Sequence, residues 1–187
     1  MRPHIVGLSG GLSRPSRTLS LVSAVTNRIA QVSGGYTTIV DVAALPEIGN
    51  LRARVEARPE VEAAFRAVEG ARLLVVGSPV YKGSYSGLFK HFVDFIDSGA
   101  LVGTPVALLA SGGSDRHALV VEHQLRPLFA FFQAQPLGTG LFVTEREIVG
   151  GELEGDPLRA RLARLVDEAA AALRADSRLV LAAEAAE

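Results

Sequence analysis

Short apolar segments recur along the chain at nearly constant intervals. Five of them begin 34, 34, 33 and 35 residues apart: Ile5–Leu8, Ile39–Val42, Leu73–Val76, Val106–Ala110 and Leu141–Val143. Each has the length of a buried strand and is far shorter than the roughly 20 apolar residues that cross a membrane. Helical repeats of similar period carry paired helices, which these apolar segments do not fit. The interval therefore predicts a repeated unit of strand, helix and strand.

The stretches between the strands place apolar residues at helical spacing. The first helix is marked by Leu19, Val22, Val25 and Ile29, the second by Val61, Phe65 and Val68, and the third by Leu88, Phe92 and either Phe95 or Ile96. A fourth helix is expected from Asp115 to Gln133, with a kink at Pro127. A fifth is expected from Asp156, an N-cap before Pro157, to Arg174. We expect an irregular connection over Ala43–Arg58 and fraying over the last dozen residues.

Apolar strands that alternate with helices predict a sheet covered on both faces. Right-handed crossovers then give an α/β fold with a doubly wound parallel sheet of five strands. We expect the flavodoxin-like strand order 2-1-3-4-5. Because the composition shows no linker, residues 1–187 are predicted to form a single domain.

Composition removes several classes of function. The 19 basic and 20 acidic residues leave a net charge of −1, which provides no general attraction for nucleic acid or an anionic membrane. The chain has no cysteine, which excludes disulfides, thiolate metal sites and thiol nucleophiles. Residues 1–4 do not resemble the start of a signal peptide. We therefore expect a cytoplasmic protein.

Ligands of open parallel sheets bind at the carboxyl ends of the strands, near the point where the strand order reverses. The loop after the first strand, Ser9–Thr18, brings hydroxyl groups, glycines and two guanidinium groups to the start of a helix. Such a set suits a phosphate monoester. The dinucleotide and Walker A glycine patterns are both missing. The alternative interpretation is a capped helix start that follows a glycine-rich turn.

Two further loops carry unusual residues. The loop after the third strand, Gly77–Gly87, contains Pro79 and two tyrosines, which offer a flat surface for a planar ring. Tyr85 also suits helix packing, and Lys82 also suits a solvated position. The loop after the fourth strand, Ser111–Asp115, exposes backbone N–H groups suited to the carbonyl and ring nitrogens of a heterocycle.

These three segments together resemble the NAD(P)H-dependent FMN reductase family. The motif is Ser9-x3-Ser13-Arg14-x-Ser16-Arg17-Thr18, then Ser78–Lys90, then Ser111–Ser114. Its specific part is the sequence Pro-Val-Tyr-Lys-Gly-Ser-Tyr-Ser-Gly that starts at Pro79. The resemblance is closest to the reductase components of two-component alkanesulfonate monooxygenases, including the methanesulfonate type. It extends from the first strand to at least Thr144.

The resemblance implies that FMN is the flavin, that NADPH or NADH is the co-substrate, and that a flavin-dependent monooxygenase receives the reduced FMN. It implies a site in which the phosphate meets Ser9, Ser13, Arg14, Ser16, Arg17 and Thr18, while the ring system meets Pro79, Val80, Tyr81, Lys82, Ser84, Ser111, Gly112, Gly113 and Ser114. Because the flavin and the nicotinamide carry the chemistry, no catalytic side chain is expected. The family also implies a homodimer or homotetramer.

The fourth helix has a further implied feature. Relatives of the sulfonate type carry an inserted residue, often tyrosine, that widens one turn of this helix into a π-bulge at a subunit interface. The matching stretch here is residues 123–127, and it begins with His123. His123 is a candidate for a gate over the flavin or for an interface residue, and the alternative is a packed or solvated histidine. Whether FMN is an exchanging substrate or a bound prosthetic group stays open.

Several other residues invite functions that we do not assign. The four histidines, His4, His91, His117 and His123, are not spaced as metal ligands, so no metal site is predicted. The acidic stretch from Glu145 to Asp156 contains several glycines and is interpreted as an exposed loop. Phe129, Phe131 and Phe132 cannot all face one side of a helix, so at least one of them is expected to meet a partner.

Two alternatives to the FMN reductase stay open. A flavodoxin-type electron carrier would need no nicotinamide, although such carriers use a strongly charged docking face that a net charge of −1 disfavours. A quinone, azo or chromate reductase could use the same scaffold.

Overall fold

A parallel sheet forms the centre of the computed structural model, which describes residues 2–149 and 152–184. Its strands are β1 (His4–Ser9), β2 (Tyr36–Asp41), β3 (Leu73–Pro79), β4 (Pro105–Gly112), β5 (Gln135–Pro136) and β6 (Leu141–Thr144). They follow the order β2-β1-β3-β4-β5, and β6 also pairs with β4. The predicted order 2-1-3-4-5 is confirmed, with a sixth short strand added at one edge. A separate antiparallel pair consists of β7 (Ile148–Val149) and β8 (Glu152–Leu153).

Five α-helices surround the sheet in the described part of the chain. They are α1 (Arg17–Ser33), α2 (Pro59–Glu69), α3 (Gly87–Val93), α4 (Arg126–Phe131) and α5 (Asp156–Glu184). The third helix ends earlier than expected, and the fifth continues past Arg174. Residues 185–187 of the segment expected to fray lie outside the described residues. None of the described helices combines the length and the hydropathy that a membrane crossing requires.

Alternate residues of each strand supply two separate hydrophobic cores. In β3, Leu74 and Val76 join the core under α2 and α3, whereas Leu73 and Val75 join the core under α1 and α5. Successive side chains of a strand point to opposite faces, so both faces of the sheet are buried, as the continuous apolar runs predicted.

The predicted fifth strand, Leu141–Val143, is confirmed as β6, and the two-residue strand β5, which was not predicted, precedes it at the outer edge of the sheet. Residues 137–140 separate β5 from β6, and both strands pair with β4. The backbone N–H and the hydroxyl of Thr139 donate to the Glu168 carboxylate of α5, at 2.8 and 2.6 Å. Because α5 satisfies these donors, the chain leaves the β4 ladder at this point and returns at Leu141.

The predicted fourth helix is broken into three parts. A short 3-10 turn over Asp115–His117 is followed by a π-helical segment at Val121–Leu125 and then by α4. The Arg126 N–H donates to the Val121 carbonyl five residues earlier, which is the π pattern. Pro127 follows at once in the first turn of α4, where a missing N–H is tolerated. The kink expected near Pro127 is therefore present, and it has the form that the family resemblance implied.

Helix α1 lies unusually close to the sheet. A Cβ atom on Gly77 of β3 would stand 2.4 Å from Val22 Cγ2, and one on Gly7 of β1 would stand 2.9 Å from Val22 Cγ1. Such distances exclude any side chain at these two strand positions. The two glycines therefore let α1 pack directly on β1 and β3, which places its N-terminus at the carboxyl edge of the sheet.

An ion-pair network ties the irregular connection to α2 and to the end of α3. Arg54 donates to Glu62 at 3.0 Å, to Glu69, and to the Phe95 carbonyl at 3.2 Å. Its guanidinium also lies 5.1 Å from the centre of the Phe65 ring. The hydrogen bonds that Arg54 donates to Glu69 and then to Glu62 raise its pKa. Hydrogen bonds from Arg54 and then Arg66 lower the pKa of Glu62 from 4.5 to about 2.

This network predicts a specific acid sensitivity. Because the folded-state pKa of Glu62 lies below its unfolded value, the stabilisation is present above about pH 4.5 and is lost as the pH falls towards 2. We expect Glu62→Gln to have a smaller change in unfolding free energy than the wild type over this range, measured by urea denaturation at a series of pH values. The exposed Glu60 of the same helix provides the control Glu60→Gln. Parallel pH profiles for wild type and Glu62→Gln would contradict this account.

Candidate functional site

The loops that follow β1, β3 and β4 meet in one cleft of about 120 Å³ at the carboxyl edge of the sheet. It is lined by Ser13, Pro15, Arg17, Thr18, Pro79, Val80, Tyr81, Ser111, Gly112, Gly113 and Ile148. Nine of these residues belong to the site predicted from the sequence, and Pro15 and Ile148 are additions. The structure therefore brings together the three segments that carry the family motif.

Two hydrogen bonds join the loops at the floor of the cleft. The hydroxyl groups of Thr18 and Ser111 lie 2.8 Å apart and are buried, which ties the first turn of α1 to β4. The Val80 N–H donates to the Ser111 carbonyl at 2.8 Å, which ties the loop after β3 to the same residue. Buried hydrogen bonds between distant segments fix their relative positions, so the cleft is formed by the fold itself.

The loop after β3 contains a tight turn. Tyr81 and Ser84 exchange two backbone hydrogen bonds, at 2.8 and 3.1 Å. Lys82 and Gly83 between them have φ values of 52° and 83°, the pattern of a two-residue hairpin turn with positive φ at both central positions. The Ser84 hydroxyl donates to Gln124 of the π-helical segment at 3.0 Å. The turn presents the half-exposed Tyr81 to the cleft and directs Lys82 to solvent.

Six predicted site residues do not line the cleft, and four of them support the loops instead. Ser16 caps α1 and accepts the Leu19 N–H at 3.1 Å. Ser9 accepts the Gly11 N–H at 3.3 Å. Ser84 bonds to Gln124, as described above, and Ser114 accepts the Arg116 N–H at the start of a 3-10 turn. The serines of the motif therefore divide into those that shape the loops and those that face the cleft.

Arg14 and Lys82 are the other two predicted site residues that do not line the cleft. Arg14 forms an ion pair with Asp41, the last residue of β2, at 2.7 Å. Lys82 lies in the exposed turn after β3. Of the two arginines in the first loop, Arg17 lines the cleft and Arg14 does not.

The α1 end of the cleft suits an anion. Arg17 brings a guanidinium, and Ser13 and Thr18 bring hydroxyl groups. The N-terminus of α1 carries a partial positive charge, and no acidic residue lies in the first turn of this helix. Ser16 at the N-cap accepts only one of the N–H groups of that turn, so the local field favours a negative group.

The histidines lie outside the cleft. His4 stacks on Tyr36 at 4.5 Å, and burial lowers its pKa. His91 meets the Phe95 ring edge-on at 5.1 Å. His117 and His123 are exposed, and His123 lies in the π-helical segment. Within the part of the chain that the structure describes, no three metal-ligating side chains are grouped to hold an ion.

The acidic stretch was interpreted as an exposed loop, and part of it instead forms the β7–β8 pair. The Glu147 carboxylate accepts the N–H and the hydroxyl of Thr144, at 2.8 and 2.7 Å. Glu147 thus closes a short turn that brings Ile148 to the cleft. The single apolar pair Ile148–Val149 among acidic residues and glycines was the available signal for a strand there.

Other clefts of the described residues lie away from the three loops. A cleft of about 420 Å³ lies beside Arg72, Thr104 and Gln135, at the amino ends of the strands. A smaller one lies in the irregular connection, between Ile48, Arg58 and Val61. Since parallel α/β sheets bind ligands at the carboxyl ends of their strands, we assign the site to the cleft between the three loops.

Comparison with known proteins identifies the family. The family model described as NADPH-dependent FMN reductase matches residues 3–147, which include all three loops. This chain belongs to the NADPH-dependent FMN reductase family. The resemblance inferred from the motif is thereby confirmed.

The names of relatives within the family specify different nicotinamide nucleotides. An NADH-dependent FMN reductase, SfnF, of Pseudomonas fluorescens (strain Pf0-1) is 48% identical over 90% of both chains. An FMN reductase (NADPH) of Pseudomonas aeruginosa is 46% identical over 90% of this chain and 91% of the relative. Membership of the family does not by itself decide between NADH and NADPH.

Solved structures show the same architecture. An apo NADH:FMN oxidoreductase, EmoB, superposes with a TM-score of 0.83 at 28% identity, over 90% of this chain and 88% of the other. An oxidoreductase from Corynebacterium diphtheriae gives a TM-score of 0.82 at 30% identity, over 92% and 97%. An archaeal flavodoxin, at a TM-score of 0.59 and 13% identity, over 90% of this chain and 98% of the other, shares the fold alone. The flavodoxin-like fold predicted from the sequence is confirmed.

The cleft residues fit the flavin that defines this reductase family. The α1 end supplies a guanidinium and hydroxyl donors for a phosphate, and the described lining residues contain no carboxylate that would repel one. At the other end, a Cβ on Gly113 would meet no atom within 4 Å, so this backbone is open to a ring. A Cβ on Gly112 would stand 3.1 Å from the Phe142 ring, which limits this position to a small residue.

Proposed function

We propose that this protein is an NAD(P)H:FMN oxidoreductase whose FMN binds in the cleft between the three loops. The observation that carries the proposal is the division of one cleft into a cationic, hydroxyl-rich end at α1 and a flat, glycine-lined end at β3 and β4. A mononucleotide has the same division into a charged tail and a planar head. Family membership agrees with this assignment.

The phosphate group is assigned to the α1 end. Arg17 neutralises its charge, the Ser13 hydroxyl donates to it, and the N-terminus of α1 faces it. Thr18 lines the same end of the cleft, and its hydroxyl is bonded to Ser111. Ser9 and Ser16 do not line the cleft and accept backbone N–H groups, so they are assigned to the shape of the loop. Arg14 is assigned to the same supporting role because it pairs with Asp41.

The ring system is assigned to the other end, against Pro79, Val80 and Tyr81 and beside Ser111–Ser114. When FMN is bound, it accepts a hydride at N5 from the nicotinamide, so the cofactors supply the chemistry. These residues would orient the rings for a nicotinamide, because hydride transfer requires reacting atoms about 3 to 3.5 Å apart. Tyr81 is half-exposed at this end of the cleft. The exposed His123 lies on the π-helical segment, and a gating role for it stays a prediction.

We further propose that the reduced FMN is delivered to a partner monooxygenase of the sulfonate type. The similarity to Pseudomonas proteins named as FMN reductases supports a role in supplying reduced FMN. The assignment of residues 1–187 to one domain and the cytoplasmic location remain predictions made from the sequence.

We propose that the protein is a homodimer or homotetramer with the kinked fourth helix at the interface. Phe131, at the end of α4, is 71% exposed, whereas Phe129 and Phe132 are buried. Leu119, before the π-helical segment, is 63% exposed. Two large apolar side chains exposed along one broken helix are typical of a surface that is covered by another chain.

The first test measures the reaction itself. We expect purified protein with added FMN to oxidise NADH, NADPH or both, followed by the loss of nicotinamide absorbance, and to bleach bound FMN under anaerobic conditions. Binding of FMN without oxidation of either nucleotide would favour an electron carrier. Faster turnover with quinones than with free FMN would favour a quinone reductase.

Arg17→Ala tests the phosphate assignment. A charge-assisted hydrogen bond contributes about 1.5 to 3 kcal/mol, so we expect FMN affinity to fall about 10- to 100-fold. Riboflavin lacks the phosphate, so the affinity of Arg17→Ala for riboflavin should differ from that of the wild type by less than about threefold. Arg28→Ala, an exposed position on the same helix, is the matched control. Equal losses for FMN and riboflavin would contradict the assignment, and thermal unfolding checks that Arg17→Ala remains folded.

Phe131→Glu tests the interface. The chain has a mass of 19.7 kDa, and we expect light scattering to give a multiple of this mass for the wild type and a smaller multiple for the variant. Val55, which is 92% exposed on the irregular connection, provides the control Val55→Glu. A monomeric wild type, or an unchanged mass for Phe131→Glu, would contradict the proposed interface.

A further inference from the structure

Asp41 lies beside the candidate phosphate loop, at the carboxyl end of β2. Its neighbour in the adjacent strand is Ser9, the first residue of that loop. One carboxylate oxygen, Oδ2, accepts a hydrogen bond from Arg14 at 2.7 Å. The other, Oδ1, is buried and has no hydrogen-bond partner among the described residues. Arg14 is thus the cation that balances a carboxylate whose side chain is only 17% exposed.

Arg14 stands between two residues that line the cleft. Ser13 and Pro15 both line the cleft, whereas Arg14 does not line it and its side chain reaches Asp41. A second nitrogen of Arg14 donates to the Ser13 carbonyl at 3.0 Å. The ion pair therefore links the middle of the loop to the end of β2, beside the two residues that line the cleft.

We propose that Asp41 is a positioning residue for the anion-binding loop. It holds Arg14 away from the cleft, which fixes Ser13 and Pro15 at the cleft wall and leaves Arg17 as the guanidinium that meets the phosphate. This inference rests on the proposed function, since it assumes that the loop binds the FMN phosphate. On this inference Arg14, the first arginine of the motif, acts on the loop indirectly, through its ion pair with Asp41 of β2.

The difference in burial between the two side chains explains why Arg14 stays with Asp41. The Arg14 side chain is 49% exposed, so water could solvate its charge in other conformations, whereas the Asp41 side chain is largely buried. A mostly buried charge is costly unless it is paired, so the cost of leaving Asp41 alone keeps Arg14 in place. If Arg14 moved to a bound phosphate, Asp41 would lose its partner.

A direct role for Arg14 and the positioning role predict opposite effects of Asp41→Asn. If Arg14 is a phosphate ligand, removing the competing carboxylate frees a guanidinium and leaves FMN affinity unchanged or increased. If Asp41 positions the loop, the same change weakens FMN. The exchange of one oxygen for an amide keeps the size of the side chain, so packing is preserved.

The experiment compares Asp41→Asn, Arg14→Gln and the double variant by titration with FMN and with riboflavin. We expect each single change to raise the Kd of FMN about fivefold and the double variant to match the singles, because both remove the same interaction. Riboflavin affinity should change less than about twofold on the same reasoning. At saturating FMN, kcat should stay near the wild-type value while the KM for FMN rises.

Two further variants separate positioning from general damage. Arg14→Lys keeps a cation that can make the single contact to Oδ2, and it should restore most of the FMN affinity lost in Arg14→Gln. Glu47→Gln breaks an exposed ion pair with Arg58, which lies outside the cleft, and should leave FMN affinity unchanged. Hydrogen exchange of residues 10–16 in the flavin-free protein should be faster in Asp41→Asn than in the wild type or in Glu47→Gln.

The outcomes distinguish the inference from the proposed function. Wild-type FMN affinity in Asp41→Asn, additive losses in the double variant, equal losses for both flavins, or unchanged hydrogen exchange would each overturn the positioning role. A wild type that binds no FMN would overturn the proposed function. The exchange measurement needs no flavin, so it tests whether Asp41 anchors the loop even in that case.

Discussion

The contact between α1 and the sheet is the constraint on which the rest of the site depends. Val22 lies so close to Gly7 and Gly77 that neither position has room for a side chain. This close approach places the start of α1 at the carboxyl edge of β1 and β3, within hydrogen-bond distance of β4 through Thr18 and Ser111. A larger residue at either glycine would lift the helix and separate the loops that form the cleft.

The loops of the site are built largely by their own polar side chains. Ser9, Ser16 and Ser84 each bond to the protein, and Asp41 neutralises Arg14. A loop without regular secondary structure must satisfy its backbone groups in this way, or pay a free-energy cost for leaving them buried and unpaired. The abundance of serine and arginine in the motif therefore reflects the construction of the loops as much as the binding of a ligand.

Departures from regular structure are concentrated at the fourth helix and the outer edge of the sheet. Glu122 and Arg126 form an ion pair across the π-helical segment, with one contact of 3.0 Å, and Arg126 also donates to the Leu137 carbonyl where β5 has ended. Gln124 of the same segment bonds to the turn after β3. A Cβ on Gly140, just before β6, would stand only 2.5 Å from Val121 Cγ1. The widened turn, the broken strand and one wall of the cleft thus form one connected unit.

The sequence by itself determined the five main strands, their order, the approximate positions of the helices and the three loops, because hydrophobic periodicity and glycine placement act over neighbouring residues. It did not show β5, the β7–β8 pair or the division of the fourth helix. It did not show which hydroxyl and guanidinium groups face the cleft. Arg14 and Arg17 have the same chemistry, and only the tertiary structure shows that Arg17 lines the cleft while Arg14 pairs with Asp41, 27 residues away. Ile148 reaches the cleft through a turn closed by a local hydrogen bond. These choices depend on distances between segments far apart in the chain, and only the tertiary structure sets those distances.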